Sequence, residues 1–256
     1  MTHSNKGDPL ITNIHNLPQP IVSLLSRHQY SRGASDISIT ELLSPPQISV
    51  LKREHQHNLV EDISDRFWAL MGTNIHKLLE DHANETVQTE ERIFLDMDDW
   101  TLSGQIDVQR EQDGAVSIID WKFTGVYSAM APKPEWISQL NMYAYLVETV
   151  KKIRVDKLQV IAILRDWSKT KTKTQKNYPP APIMNISLPL WPYEERHAFL
   201  KSRVAIHQEE RGGHELGGAL PECTEEERWV KKGKAIRCEE YCVVRDYCEQ
   251  YRRSRD

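Results

Sequence analysis

The sequence predicts an α/β chain in which helices and strands interleave. Three observations carry that expectation. Apolar residues recur at helical spacing in some segments and in alternating or continuous strand-length runs in others, and the two kinds interleave along 256 residues. An Asp-Gly pair sits between two apolar stretches, a strong hairpin signal. An almost unbroken apolar run from Leu158 to Leu164 has the length and content of a buried interior strand.

Residues from Met1 to about Asp36 are polar, apart from a short apolar patch at Ile21 to Leu25, and read as a loose tail. Thr40 is the candidate N-cap of a helix start at Glu41-Leu42-Leu43. Pro45-Pro46 then opens a second helix running to about His55, because proline fits the first helical turn. Phe67 to Leu79 reads as a helix, with Phe67, Leu70, Met71, Ile75, Leu78 and Leu79 three and four apart. Gly72 and His76 share it, the glycine permitting close packing. Arg92–Leu95 and Trp100–Val108 read as strands turning at Met97-Asp98-Asp99, and Ala115–Phe123 as a third. A helix spans Trp136 to Val150. A strand covers Leu158 to Leu164, another Ile183 to Leu188, and a helix Glu194 to about Glu210, with Gly212-Gly213 and Gly217-Gly218 breaking the chain after it. The Lys169–Lys176 run, KTKTKTQK, reads as a mobile loop, either a solvated face or a phosphate contact.

Bulk properties narrow the function classes. Hydrophobic residues make up 39% and charged residues 27%, a water-soluble balance. No apolar stretch is long enough for a membrane helix, and the start MTHSNKGDPLITN lacks the basic and apolar regions of a signal peptide. The expected location is cytoplasmic. The net charge of −4 does not advertise nucleic-acid binding, nor does it exclude it, since a locally basic surface is enough.

The chemistry concentrates between Ser103 and Gly125, SGQIDVQREQDGAVSIIDWKFTG. The two-residue period of a strand puts Asp120 and Lys122 on one face, and the hairpin brings Asp107 opposite. Two carboxylates can hold a hard divalent cation through oxygen, and a neighbouring amine can orient water or meet charge developing on a phosphate. The bland alternative is an acid at a strand end in a solvated salt bridge. Gln139 and Tyr143, four apart, share one face of the next helix and can bind phosphate or a base, or can be ordinary boundary residues. His76 is either a structural histidine or a nitrogen ligand that tilts the metal toward manganese.

All four cysteines, Cys223, Cys238, Cys242 and Cys248, lie in the last 34 residues. In a reducing compartment metal binding outranks disulfides. Four thiolates suit zinc or an iron–sulfur cluster, and the irregular spacing, without two CxxC knuckles, favours a [4Fe–4S] cluster over Zn2+. The alternative is buried free thiols.

The ordered set GTNIH (Gly72–His76), GQID (Gly104–Asp107), DWK (Asp120–Lys122) and QLNMY (Gln139–Tyr143) resembles the PD-(D/E)XK nuclease superfamily, and within it the RecB-like branch. The resemblance spans about Thr40 to Leu164. It implies a restriction-endonuclease-like core, a central mixed sheet flanked by helices, with the metal at the strand ends. It implies that His76, Asp107, Asp120 and the backbone carbonyl of Trp121 bind Mg2+ or Mn2+. Lys122 is then the catalytic lysine, and Gln139 and Tyr143 are DNA-contacting or supporting residues. The ending CEEYCVVRDYC resembles the iron–sulfur nucleases of this branch, the AddB and CRISPR-adaptation enzymes, with Cys223 standing in for a ligand those families take from ahead of the core. A phage origin, in a bacterial host cytoplasm, fits this layout.

The expected division is an irregular region over 1–38, a nuclease core over 39–190, and a helix with a cysteine-clamped helical appendage over 191–256. The expected activity is a metal-dependent deoxyribonuclease, an exonuclease acting on DNA ends or single strands in recombination, repair or phage DNA processing, with a recombination or repair protein as a partner. Two other readings stand beside it: a non-catalytic DNA-binding recombination accessory module on the same fold, and a zinc-stapled interaction protein whose acidic pair is structural.

Overall fold

The computed structural model describes residues 9–26, 33–80, 87–131 and 133–255, without the side chains at positions 76, 79 and 80. The chain divides into two compact units. One comprises residues 1–30, 44–67 and 202–256, the other 31–43 and 68–201.

Strands β1 (Leu10–Thr12) and β3 (Val60–Asp62) belong to the first unit, and the second unit holds the large sheet. The strands of that sheet are β2 (Ile37–Ser38), β4 (Val87–Met97), β5 (Trp100–Gln112), β6 (Ala115–Thr124), β7 (Arg154–Leu164) and β8 (Ile183–Leu188). The order is β2-β5-β6-β7-β8, with β4 on the other edge of β5. β6 and β7 run parallel, and β4–β5, β5–β6 and β7–β8 are antiparallel, so the sheet is mixed as expected. β7 lies between two neighbours, and Leu158, Val160, Ala162 and Leu164 are buried along it.

Both hairpin turns form where the sequence marks them. Asp98 and Asp99 have φ 47 and 65 between paired Met97 and Trp100. Asp113 and Gly114 have φ 53 and 75 between paired Gln112 and Ala115. Two consecutive positive φ values match the twist of the flanking strands and favour Asp and Gly. The strands β4 and β5 run longer than hydrophobic alternation suggests, because cross-strand polar pairs extend them. Gln109 donates to Glu91, which also pairs with Lys151 at 2.7 Å.

Helices cover the sheet. α2 (Ile39–Leu42) is capped by Ser38, whose hydroxyl accepts from the Glu41 amide while Glu41 returns to the Ser38 amide. The N-cap is therefore Ser38, not Thr40, because only Ser38 has an extended backbone three residues before a glutamate. α4 (Arg66–Glu80) forms over the expected span, but of its described apolar residues Leu70 alone is buried, while Phe67, Trp68 and Leu78 are exposed. A Cβ at Gly72 would meet nothing within 4 Å, so this glycine permits no close packing. α5 (Val126–Met130) comes directly after β6. α6 (Pro134–Leu146) starts on proline and ends in a π-helical turn over Val147–Lys151, closed by Lys152 in the left-handed region. Leu140, Met142, Ala144 and Leu146 of α6 are fully buried, and a buried Leu or Met side chain stabilises by about 1.5–3 kcal/mol. α7 (Lys171–Thr174) lies inside KTKTKTQK, so that run carries a helical turn rather than a plain loop. α8 (Tyr193–Glu215) passes straight through Gly212 and Gly213, and its chain turns only at Gly217, where φ is 86.

The first unit gathers separated segments. β1 pairs in parallel with β3, and α1 is Gln19–Ser26, so the supposed tail carries regular elements. Residues 1–8 lie outside the described residues. Asp62 accepts from Ser64, from the Ile14 amide and from Thr12, and these bonds hold its carboxyl well below the usual range. α3 (Pro46–His55) begins on Pro46 as expected. The cysteine segment adds β9 (Val230–Lys231), β10 (Lys234–Ala235), a π-helical turn over Arg237–Tyr241 and α9 (Glu249–Arg253). Ile48 and Leu51 of α3 share a small core with Val244 and Cys248.

Candidate active site at the fork of a hairpin

The β5–β6 ladder runs from Gln112↔Ala115 to Val108↔Ile119 and stops there. The next residues along the two strands are Asp107 and Asp120. Beyond them β5 takes β2 as its neighbour, at Leu102 and Ser103, while β6 continues along β7. The two acids therefore stand where paired strands part. The amide of Trp121 lies past the last rung of that ladder, and the Asp107 carboxylate accepts it at 2.8 Å.

Asp120 is only 2% exposed. Burying a carboxylate without a partner costs several kcal/mol, and Lys122 offsets that. Its ammonium lies 3.0 Å from Oδ1 as a hydrogen bond and 2.8 Å from Oδ2. The second approach has the distance of an ion pair but not the angles of a hydrogen bond, so Oδ2 is buried with a cation beside it and no donor of its own. Burial pushes the Lys122 amine down, but the Asp120 and Asp107 carboxylates outweigh it and raise it above the ordinary lysine value.

α6 completes the arrangement. Lys122 Nζ donates to Gln139 Oε1 at 3.3 Å, and Gln139 Nε2 donates to the Tyr143 hydroxyl at 2.9 Å. A buried tyrosine thus fixes an amide, which fixes the lysine. The glycine of GQID explains how the helix comes so near. A Cβ on Gly104 would lie 2.6 Å from Leu146 Cδ1 and 3.0 Å from the Tyr143 ring, so any side chain there would push α6 off the sheet.

Of the residues singled out in the sequence, Asp107, Asp120, Lys122, Gln139 and Tyr143 come together at this fork. His76 lies on α4, but its side chain is outside the described residues. No set of three or more His, Cys, Asp or Glu side chains among the described residues is arranged to hold a metal ion. The carboxylates of buried Asp120 and of Asp107, on residues that follow the last rung of the β5–β6 ladder, nevertheless suit a divalent cation, which two anionic oxygens favour.

The cysteines meet elsewhere, in the first unit. All four line one cavity with Gln47, Arg228 and Arg237. Cys223 and Cys248 donate their thiols to Gln47 Oε1 at 3.3 and 3.6 Å. Burial, then Glu227 and the other sulfurs, pushes Cys223 up to about 12. Cys238 and Cys242 are also raised, burial being the largest cause for each. Cys223, Cys238 and Cys242 are therefore held as thiols, and they face a space shared with Cys248.

Comparison with known proteins supplies the deciding observation. The family model of the PD-(D/E)XK nuclease superfamily matches residues 41–249. The chain belongs to the PD-(D/E)XK nuclease superfamily. Its mixed sheet with flanking helices is the restriction-endonuclease-like fold of that superfamily. Among solved structures, one titled "Crystal structure of SSO0001" superposes with a TM-score of 0.53 at 16% identity, covering 90% of this chain and 92% of that one. The sequence matches no curated protein. Among the described residues no helix is long and apolar enough to cross a membrane.

Sequence reasoning on this PD-(D/E)XK chain overlooked an aromatic and basic group near the end of β6. Trp68 lies against Phe123 with ring centroids 6.0 Å apart, and Arg165 lies 4.8 Å over Trp68. Adjacency of Phe123 to the DWK motif was the available signal.

Proposed function

We propose that the chain is a divalent-metal-dependent deoxyribonuclease of the RecB-like kind, acting as an exonuclease on DNA ends or single strands. The observation that carries the reading is the buried Asp120 carboxylate at the strand fork, paired with Lys122 at 2.8 Å, where Asp107 accepts the Trp121 amide. Asp107, Asp120, the Trp121 carbonyl and His76 are the residues that would hold Mg2+ or Mn2+. Such a cation supplies Lewis acidity, lowering the pKa of a bound water and neutralising phosphate charge. Lys122 brings its ammonium to the phosphate oxygens, where developing negative charge is stabilised. Gln139, held by Tyr143, keeps Lys122 from swinging into solvent. Asp107 fixes the Trp121 amide and with it the path of the backbone between Asp120 and Lys122.

The cysteines form a second, structural part of the proposal. Their common cavity supports a soft-metal clamp, a [4Fe–4S] cluster or Zn2+, binding of which deprotonates the thiols and displaces their bonds to Gln47. Protein isolated without oxygen is brown in the first case and colourless with stoichiometric zinc in the second.

End-labelled single- and double-stranded DNA, titrated with Mg2+ or Mn2+ after chelation, tests the activity. Cleavage restored by either ion, with products shortening from one end, is the expected result. Binding without cleavage in every metal would instead favour a DNA-binding recombination accessory module.

A further inference from the structure

We propose that the aromatic and basic side chains at the ends of β6 and β7 form a stacking platform for single-stranded DNA. The inference rests on the nuclease reading for its biological sense, but not for its test.

The platform consists of two cation–aromatic pairs. In the first, Arg165 lies over Trp68, whose ring packs on Phe123. In the second, Lys171 lies 5.9 Å from the rings of both Tyr127 and Tyr178. Trp68 is 51% exposed and Tyr127 60% exposed. Aromatic rings placed for packing alone would bury most of that surface, because removing it from water stabilises the fold. These rings instead show about half of it to solvent beside cations. Bases stack on such rings and on guanidinium planes without regard to sequence, while Lys and Arg meet the phosphates.

The pairs are held rigidly. Arg165 donates its amide to the Thr124 carbonyl at 3.0 Å, tying the start of the β7 exit to the end of β6. Asp166 accepts the Val126 amide at 2.7 Å, fixing the first turn of α5 and therefore Tyr127. The Tyr127 hydroxyl donates to Gln175, and buried Tyr178 accepts the Ser168 amide at 3.0 Å. KTKTKTQK is thereby seated on Tyr127 and Tyr178, presenting Lys169, Lys171, Lys173 and Lys176 in eight residues that contain no acid.

Position argues for the same ligand. Phe123 directly follows Lys122 along β6 at a rise of roughly 3.3 Å, and the two-residue period turns its side chain to the opposite face of the strand from Asp120 and Lys122. The platform lies at the carboxyl ends of the parallel pair β6–β7, the edge where open α/β sheets present their ligands. A strand lying on Trp68 and Tyr127 is held at the end of β6, the strand that also carries Asp120 and Lys122.

The test measures binding of full-length Asp120→Asn protein, in chelator, to fluorescein-labelled oligo-dT of about 15 nucleotides and to a duplex of equal length. Trp68→Ala and Tyr127→Ala are each expected to weaken oligo-dT binding about five-fold or more, with under about two-fold change on duplex, and Trp68→Phe to retain most of the affinity. Lys171→Ala is expected to make the salt dependence shallower by about one phosphate contact. Thermal melts establish that each variant is folded. Unchanged oligo-dT affinity in the folded alanine variants, or equal losses on both DNAs, overturns the proposal. Binding is read without cleavage, so a chain that grips oligo-dT through Trp68 yet cuts nothing refutes only the nuclease reading. A chain that cuts but ignores Trp68 refutes only the platform.

Discussion

The carboxylate fork and the cysteine cavity are both clusters of potential ligands, yet they are assembled by different physics. At the fork, backbone geometry does the placing. Paired strands part, a freed amide finds Asp107, and Asp120 is charge-compensated by Lys122. At the cavity, cysteine side chains from a loop-rich segment share one space, Cys223 and Cys248 bonding Gln47, and short turns rather than a sheet hold them. The first arrangement is fixed by the fold before any cation arrives. The second is a shared cavity whose thiols bond Gln47 and whose turns carry no ladder to fix their spacing. A preorganised anionic site suits chemistry, where displacement of a fraction of an ångström costs rate. A thiol cavity suits stapling, where binding free energy becomes folding free energy.

The sharpest way to break the contrast is at the fork itself. Asp120→Asn keeps the shape while removing the charge and one of the two oxygens that face Lys122. It is expected to lower cleavage by about 1000-fold or more, with far-UV circular dichroism unchanged. Cleavage near the parent rate in folded protein would remove Asp120 from the site. At the cavity the order reverses. Cys248→Ser is expected to lower stability by roughly 1–3 kcal/mol and open residues 223–248 to protease, with less than about ten-fold change in cleavage. Urea melts and limited proteolysis measure this, and equal protease resistance in both proteins would show that the cavity staples nothing.

Gly104→Ala sharpens the comparison from the packing side. Its methyl collides with Leu146 and Tyr143, so α6 must shift. A loss of roughly 1–3 kcal/mol in a thermal melt, with cleavage falling as Gln139 moves off Lys122, is the expected outcome. The smallest effect is electrostatic. His214 is raised above its ordinary value, first by its bond to the Gly218 carbonyl and then by Glu54, 2.7 Å away. A histidine raised in the folded state contributes stability that is complete below its unfolded pKa and is lost as pH rises through the folded one. The pair is part-exposed, so His214→Ala should cost only a few tenths of a kcal/mol at pH 5.5 and nothing at pH 8.5, by urea melts at both values.

Much of the fork was legible because it is local. Asp113-Gly114 specifies the turn, alternation specifies the faces, and together they bring Asp107 opposite Asp120 using residues close in sequence. The parting of the strands was not legible, since it depends on β2 claiming Leu102 and Ser103 from far upstream. Gly104 shows the same limit from the other direction. Its motif was visible, but the contact that demands a glycine comes from Leu146, on a helix beyond two further elements. Periodicity misled on α4, where apolar spacing implied a buried face and the structure exposes Phe67, Trp68 and Leu78. It misled again at Gly212-Gly213, where helix continuity from preceding turns outweighs a cost of about 1 kcal/mol per glycine. The cysteine cavity could be anticipated as a cluster but not as a geometry, because irregular turns carry no period to read.

The two-residue turn at Asp113-Gly114 acts as a ruler. It sets how many rungs separate the tip from the place where the strands part, and so which side chains stand opposite one another there. One extra residue at that tip would slide β6 against β5 by a single step and set Asp107 against a neighbour of Asp120 whose side chain points the other way. One residue added to each arm would leave the acids facing. Lineages descending from this chain can therefore vary the hairpin tip in length only in matched pairs, or lose the alignment of the two acids with it.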